Sequence, residues 1–222
     1  MNFQYSSRAC GSPAARSRAS ASSRGAFVQP DASGWTKAPR EDALARLRAA
    51  GLPHARDEYW KFTRPDTLVD AEAPKAAVFE SDETEVFEDV ERLKIVFRDG
   101  VFDADASDDL SLEGVKIDRL AEAGQADIHW AKDLYGALET NGQTPVARPL
   151  ATLNTAAATD GVLVHVTGKA SKPINLIYHH ESETSDAILH HVIKLDAGAE
   201  LTVLENGPAA ARFNKVMEVD VA

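Results

Sequence analysis

Histidine is the residue type in this sequence with the clearest capacity for chemistry. Five of the seven histidines lie between residues 165 and 191, at His165, His179, His180, His190 and His191. Neutral imidazole is the commonest metal ligand in proteins, so this density suggests a metal site. Adjacent residues of a β-strand point to opposite faces, however, so we do not expect His190 and His191 to bind one ion together.

Glu200 follows these histidines in the stretch "HHVIKLDAGAELTVLENG" (190–207), which looks a little like a cupin strand pair. A cupin-type site needs His-x-His, an acid soon after it and another histidine on a later strand. No histidine follows His191. The residues therefore predict no catalytic, cofactor-binding or metal residue. A cupin-like metal-binding β-protein that uses His190, His191 and Glu200 is the alternative hypothesis.

Phosphate binding and nucleophilic catalysis have little support in the sequence. Gly168-Lys169 has the end of a P-loop, but Leu163 stands where an earlier glycine belongs and Ala170 where Ser or Thr would bind magnesium. There is no G-x-S-x-G pattern, and the one cysteine, Cys10, excludes a disulfide or a cluster of thiolates. We therefore expect a chain that is not an enzyme.

Charge is distributed unevenly along the chain. Residues 1–30 contain four arginines and no acid, whereas the whole chain has a net charge of −11. Nucleic-acid binding needs clustered Lys and Arg, so the acidic body predicts no nucleic-acid partner. The longest apolar runs are far too short to cross a bilayer, which predicts no membrane partner. The Ser- and Arg-rich residues 1–34 are expected to be a disordered tail.

The segment "GLPHARDEYWKFTRPDTL" (51–68) mixes aromatic and charged residues. We expect it to be a structural joint, in which Trp60, Phe62 and Tyr59 anchor a helical domain, because large aromatic side chains dominate packing. The alternative is an exposed aromatic patch that binds a partner.

The N-terminal half predicts short helices and one hairpin. Proline at the start and glycine at the end mark the boundaries of a helix. Asp-Gly between apolar β-formers is the strongest short hairpin signal. The predicted elements are a helix from Pro39 to Gly51, a helical turn over residues 57–63, mainly loop over 70–92, a hairpin over 94–103 and a helical pattern over 117–158.

Strand patterns with short connectors follow. Their spacing predicts an all-β body without intervening helices, for which a sandwich, a barrel or a stacked β-helix would fit. The last pattern stops without a turn or a polar cap, so we hypothesise that the chain is a piece of a longer protein. The five predicted strands are 162–166, 174–180, 187–195, 200–206 and 213–221.

The order of these parts resembles the SufB/SufD family, scaffold proteins of the SUF iron–sulfur cluster assembly system. "GLPHARDEYWKFT" is similar to the family's N-terminal signature, and "LNTAAATDGVLVHV" (153–166) to its entry into a β-helix. "KPINLIYHH" (172–180) and "GAELTVLEN" (198–206) are similar to its first coils. The short N-terminal region fits the SufD branch better than the SufB branch.

The resemblance implies an α+β fold, in which a small N-terminal helical region precedes the first coils of a right-handed parallel β-helix and the chain is mainly β. It implies three regions: the basic tail (1–34), a helical or mixed domain (35–158), and the start of a β-helix (159–222) that is truncated at the C-terminus. The family's cluster-interface and ATPase contacts would lie beyond Ala222, so no cluster ligand is assigned to this chain.

The resemblance also implies a function and partners. The chain would be a scaffold subunit that pairs with SufB-like and SufC-like subunits, and ATP hydrolysis would belong to SufC. The chain alone would bind no cofactor, and the full complex would assemble the iron–sulfur cluster. The Ala-rich, acidic body favours a bacterial cytoplasmic protein. A plastid protein is the alternative if residues 1–30 are a transit peptide, and a β-solenoid interaction module unrelated to iron is a further hypothesis.

Overall fold

The computed structural model describes residues 33–78, 86–207 and 209–222. Within these ranges nine strands form two mixed sheets, and five α-helices accompany them. The architecture is mixed α/β, and neither sheet closes into a barrel. The prediction of a disordered tail over residues 1–34 lies outside the described residues, apart from Ser33 and Gly34.

The elements are short, and none of the helices in the described ranges has both the length and the apolar character needed to cross a membrane. The helices are α1 (Lys37–Ala50), α2 (Asp66–Val69), α3 (Leu120–Ala123), α4 (Ala137–Asn141) and α5 (Pro149–Ala157). Short 3-10 helices lie at Gly34–Thr36, Glu58–Trp60 and Trp130–Asp133. The strands are β1 (Leu93–Arg98), β2 (Val101–Phe102), β3 (Ser111–Leu112), β4 (Val115–Arg119), β5 (Val162–Val166), β6 (Ile174–His179), β7 (Asp186–Leu195), β8 (Val203–Asn206) and β9 (Arg212–Val221).

Strands β5 to β9 alternate between the two sheets. The first sheet has the order β2-β1-β6-β8 and the second has the order β3-β4-β5-β7-β9. The pairs β5/β7, β7/β9 and β6/β8 are parallel, and β1 also pairs with β6 in parallel. Each passage of the chain across both sheets therefore stacks on the passage before it. The five predicted strands are confirmed as β5 to β9.

At β5 both faces of the second sheet are largely buried, which explains why four of its five residues are apolar. Val162, Val164 and Val166 pack in the core between the two sheets. Leu163, on the opposite face of β5, packs in a second core. Strands buried on both faces lose the apolar–polar alternation that marks a half-exposed strand. The second core also contains Trp35, Leu47, Leu120, Tyr135 and Leu153.

We call α1, α4, α5 and the 3-10 helix Trp130–Asp133 the helical layer. It covers the outer face of the second sheet, where α5 contacts both β7 and β9. Helix α1 packs on α5 and buries Arg40, Ala43 and Leu47. The helical layer is thus held on the sheet by the second core.

Several local sequence signals are confirmed. Gly51 follows α1 with a φ of 78°, and its N–H donates to the carbonyl of Leu47. Asp99 and Gly100 both have positive φ and join β1 to β2, as a tight two-residue hairpin requires. Pro149 lies in the first turn of α5. Helix α1 begins at Lys37, slightly before the predicted start.

Other predictions over the N-terminal half need correction. The helical pattern over residues 117–158 is wrong at its beginning, because Val115–Arg119 forms β4 and pairs antiparallel with β5. The helix indicated by "HWAKDLYGALE" (129–139) is interrupted because Gly136 adopts a left-handed φ of 77°. The helical turn over residues 57–63 is present only as the 3-10 helix Glu58–Trp60.

The boundary drawn after residue 158 does not separate two packing units. Strands β1 and β4 precede it, yet they pair with β6 and β5, which follow it. Residues 35–158 and 159–222 therefore share both sheets and both cores. The described parts of residues 70–92 contain neither helix nor strand after α2, as expected, and residues 79–85 lie outside the described residues.

Substitution of two glycines with positive φ tests how closely the chain approaches itself where β8 stacks on β6. A Cβ at Gly207 would overlap the carbonyl oxygen of Tyr178, whereas a Cβ at Gly198 would meet no heavy atom within 4 Å. Both have positive φ, so alanine at either position costs ~1–2 kcal/mol of backbone strain. We predict that Gly198→Ala lowers the free energy of unfolding by that amount and Gly207→Ala by ~3 kcal/mol or more. Denaturant unfolding measures both, and equal losses would contradict the close approach.

Candidate functional site

His190 lies on the outer face of β7, beneath the helical layer. Its side chain is fully buried, and its Nε2 lies 2.9 Å from a carboxylate oxygen of Glu218 on β9. Its ring centroid lies 4.2 Å from that of Tyr135. Because an ionised carboxylate only accepts hydrogen bonds, Nε2 donates to Glu218. The Nδ1 atom of His190 is buried without a hydrogen-bond partner in the described part of the chain.

His191 points the other way, into the core between the sheets. Its Nδ1 accepts the N–H of Val162 at 3.0 Å, so Nε2 carries the proton and donates to the hydroxyl of Tyr178 at 3.1 Å. The Tyr178 hydroxyl in turn donates to Glu205 at 2.9 Å, and the Lys215 ammonium lies 2.5 Å from the same carboxylate. Four consecutive strands, β6 to β9, each contribute one side chain to this chain of hydrogen bonds.

The pKa shifts in this chain follow from burial. Burial, helped by the nearby positive charge of Lys215, lowers the pKa of His191 to about 3. Burial also raises the pKa of Tyr178, and the adjacent Glu205 carboxylate adds to that rise. At neutral pH the imidazole is therefore neutral and the phenol protonated. Both nitrogens of His191 already have partners, which leaves no lone pair for a metal ion.

The ion-pair partner of Glu200 is a residue other than the two histidines. It is exposed and pairs with Lys169, with 2.5 Å between the charged atoms. Among residues 33–78, 86–207 and 209–222, no group of three or more His, Cys, Asp or Glu side chains is arranged to hold a metal ion. The prediction that His190 and His191 point to opposite faces is confirmed. The structure gives no support to the cupin-like alternative based on His190, His191 and Glu200.

A buried carboxylate, Glu139 on α4, joins three helices. It accepts two hydrogen bonds from the Arg46 guanidinium on α1, at 2.8 and 3.0 Å. It also accepts the hydroxyls of Thr152 at 2.7 Å and Thr155 at 3.2 Å, both on α5. Burial alone raises the pKa of Glu139, but the hydrogen bonds from Arg46 and Thr152 outweigh it, and its pKa lies below the ordinary value. The hydrogen bond to Glu139 likewise raises the pKa of Arg46.

A second buried carboxylate, Glu218 on β9, joins the sheet to this group. It accepts the backbone N–H of Gly136 at 2.5 Å and that of Glu139 at 2.8 Å, besides the imidazole of His190. Tyr135 packs against His190, and its hydroxyl donates to the Thr155 carbonyl at 2.7 Å. Burial raises the pKa of Tyr135 to about 12. We call Arg46, Tyr135, Glu139, His190 and Glu218 the interlayer cluster.

A pocket of about 300 Å³ opens beside the interlayer cluster. Its walls carry charges of both signs, and α1 and the start of α4 form two of its sides. The carboxylates of the cluster accept hydrogen bonds from N–H and O–H donors of neighbouring elements. The arrangement ties elements together. The pocket is lined by Pro39, Asp42, Arg46, Lys132, Asp133, Tyr135, Gly136, Ala137, Thr140, Asn141 and Thr155.

The aromatic segment does not have the packing role expected of it. Tyr59 is 71% exposed and Phe62 is 91% exposed, while Trp60 is only half-buried. The prediction that these side chains anchor the helical domain is therefore wrong for Tyr59 and Phe62. The aromatic anchors are instead Trp35 and Tyr135, which are both buried and lie edge to face.

The family model described as "SufBD protein N-terminal region" matches residues 22–176. The chain belongs to the SufBD family. A search of curated proteins found no match. SufBD membership connects the chain with iron–sulfur cluster assembly by the SUF system, and it confirms the resemblance at the level of the SufB/SufD family.

The SufBD match ends before the residues that close the interlayer cluster. Glu139 lies inside the matched range, whereas His190 and Glu218 lie after it. Sequence reasoning missed both carboxylates. Glu218 alternates with Met217 and Val219 in a strand pattern, which normally indicates a solvent-facing acid. Only the presence of a helical layer on that face makes it a buried residue, and the sequence around residue 218 carries no sign of this layer.

His191 links the stability of this SufBD chain to pH. Its pKa is about 3 in the folded state against an ordinary value of 6.5. Between these pH values the unfolded state binds a proton that the folded state does not, so the free energy of unfolding falls as the pH falls. The slope from this one group is on the order of 1 kcal/mol per pH unit.

We predict that His191→Asn has a shallower dependence by that amount between about pH 6 and pH 4. The asparagine oxygen can still accept the N–H of Val162, so the backbone contact is retained. Urea unfolding at a series of pH values measures the slope. The same slope in both proteins would contradict the assignment of His191 as a buried neutral imidazole.

The different exposure of Trp35 and Phe62 predicts different effects of their substitution on the free energy of unfolding. Trp35 is 3% exposed, so Trp35→Ala is expected to lower the free energy of unfolding by ~3–5 kcal/mol. Phe62→Ala removes an exposed ring and is expected to change it by less than ~0.5 kcal/mol. Denaturant unfolding of the two variants provides the comparison. A large loss for Phe62→Ala would restore the anchoring role of the aromatic segment.

Proposed function

We propose that this SufBD protein is a SufD-type scaffold subunit of the SUF iron–sulfur cluster assembly system. The match to the N-terminal region of the family over residues 22–176 is the observation that carries the proposal. The family match does not separate SufD from SufB. The short region before the strands, and the segments 153–166, 172–180 and 198–206, favour SufD by their resemblance.

The finer fold belongs to the same proposal. We infer that β5 to β9 are the first coils of a right-handed parallel β-helix. Support comes from the alternation of these strands between two sheets and from the parallel pairing of each strand with the one two places later. Each coil would then add one strand to each sheet, and the helical layer would cover one side of the first coils.

The proposed role is that of a non-catalytic subunit. The sequence lacks a P-loop, so ATP hydrolysis is assigned to a SufC-like partner. The buried carboxylates Glu139 and Glu218 bind donors of the fold, which supports a structural use of the polar residues. The iron–sulfur cluster is the cargo of the full complex, and no ligand for it is assigned to this chain.

The proposed partners are a SufB-like subunit and a SufC-like ATPase. Neither a nucleic acid nor a membrane is among them, in agreement with the net charge of −11. The composition of the body favours a bacterial cytoplasmic protein. A plastid protein remains the alternative if residues 1–30 are a transit peptide.

Affinity purification from the source cell tests the proposal. The native-locus protein is tagged at its N-terminus, and its partners are identified by mass spectrometry against a strain that expresses the tag alone. We predict recovery of one SufB-like subunit and one SufC-like ATPase.

The identity of the β-rich partner decides the branch of the family. Recovery of a SufD-like subunit in place of a SufB-like one would assign the chain to the SufB branch and contradict the SufD proposal. Recovery of the tagged chain without any ATPase would contradict the scaffold role itself.

A further inference from the structure

One face of β9 carries the polar side chains that hold the layers together. Phe213 and Met217 point into the core between the sheets. The opposite face carries Arg212, Asn214 and Glu218. They are an even number of residues apart, and successive side chains of a strand alternate between its two faces. We call Arg212, Asn214 and Glu218 the latch residues.

Arg212 holds α2 and the segment that follows it. Its guanidinium is buried and donates from Nη1 to the backbone carbonyls of Thr67 at 3.3 Å, Asp70 at 2.8 Å and Glu72 at 3.3 Å. Its Nε donates to Asp186, the first residue of β7, at 3.0 Å. One side chain of β9 thus fixes a distant loop to the edge of the second sheet.

Asn214 holds α5 through both ends of its amide. Its Nδ2 donates to the carbonyl of Leu150 at 3.0 Å, in the first turn of α5. Its Oδ1 accepts from the Nδ2 of Asn154 at 3.1 Å, one turn further along the helix. The same Asn154 amide also donates to the backbone carbonyl of Leu189 on β7. Helix α5 is therefore bound to β7 and β9 at their junction.

Glu218 holds the start of α4. Its two carboxylate oxygens accept the N–H groups of Gly136 and Glu139, while His190 donates to it from β7. Gly136 also lines the 300 Å³ pocket, together with Ala137 and Thr140. The position of one wall of the pocket is therefore set by a carboxylate on β9.

We propose that β9 is a latch whose pairing with β7 closes the helical layer on the second sheet and shapes the pocket. The three latch residues act on three separate elements, so displacement of β9 releases all of them together. Because linkage is reciprocal, a change in the helical layer also loosens β9. The latch residues lie outside residues 22–176, so the matched N-terminal region is closed by a strand that follows it. This inference does not rest on the proposed SUF function.

Hydrogen exchange on the full chain tests the latch. In Glu218→Gln, one acceptor oxygen of the carboxylate is replaced by an NH₂ group. That NH₂ group then faces an N–H donor to which the carboxylate was bound. Asp220→Asn removes the same charge from the same strand at a half-buried side chain outside the interlayer cluster. We expect the amides of residues 136–142 to exchange about tenfold faster in Glu218→Gln, while those of β1 keep their rates and Asp220→Asn matches the wild type.

Two results would overturn the proposal. Unchanged exchange over residues 136–142 would show that Glu218 does not hold α4. An equal increase in β1 would show a general loss of stability without a latch.

A second pair of variants, both on α1, tests the same coupling from the side of the helical layer if Glu218→Gln does not fold. Arg46→Gln weakens the helical side of the interlayer cluster, and Arg48→Gln removes an exposed arginine from the same helix. The latch predicts faster exchange in β9 for Arg46→Gln only. Equal exchange in β9 for both variants would contradict it.

Discussion

The burial of β5 and β7 on both faces of the second sheet is the constraint on which the rest of the structure depends. The inner face packs on the first sheet, and the outer face packs on the helical layer. A polar side chain in the buried part of this sheet cannot reach water and needs a partner inside the protein. His190 and His191 find such partners on opposite faces of the sheet. His190 bonds to Glu218 under the helical layer, and His191 bonds to Tyr178 between the sheets.

We expect these partners to specify the arrangement more than they stabilise it. Apolar burial in the two cores supplies the main favourable term, since a buried carboxylate carries a large desolvation penalty. Glu139 and Glu218 offset that penalty with charge-assisted hydrogen bonds from Arg46 and from backbone N–H groups. A buried network of hydrogen bonds is sensitive to geometry, so it favours one register of the stacked strands over a slipped one.

The sequence was most informative where the signal is local. Strands β5 to β9 and the Asp99-Gly100 hairpin follow from apolar runs and turn residues, and Gly51 marks the end of α1. The sequence was misleading where a distant contact decides. Tyr59 and Phe62 have the composition of an anchor but remain exposed, whereas Trp35 is buried by elements far away in the chain. The role of Glu218 depends on a helical layer that the residues next to it in the sequence do not indicate.

Strand β9 joins the sheets, the helical layer and the pocket of this SufBD-family chain. Native-state hydrogen exchange of the unmodified chain under increasing denaturant tests this most directly. The amides of β9, α4 and α5 should open with one common free energy, because they would form a single cooperative unit. Opening of β9 at low denaturant, while α4 and α5 keep their protection, would contradict the account.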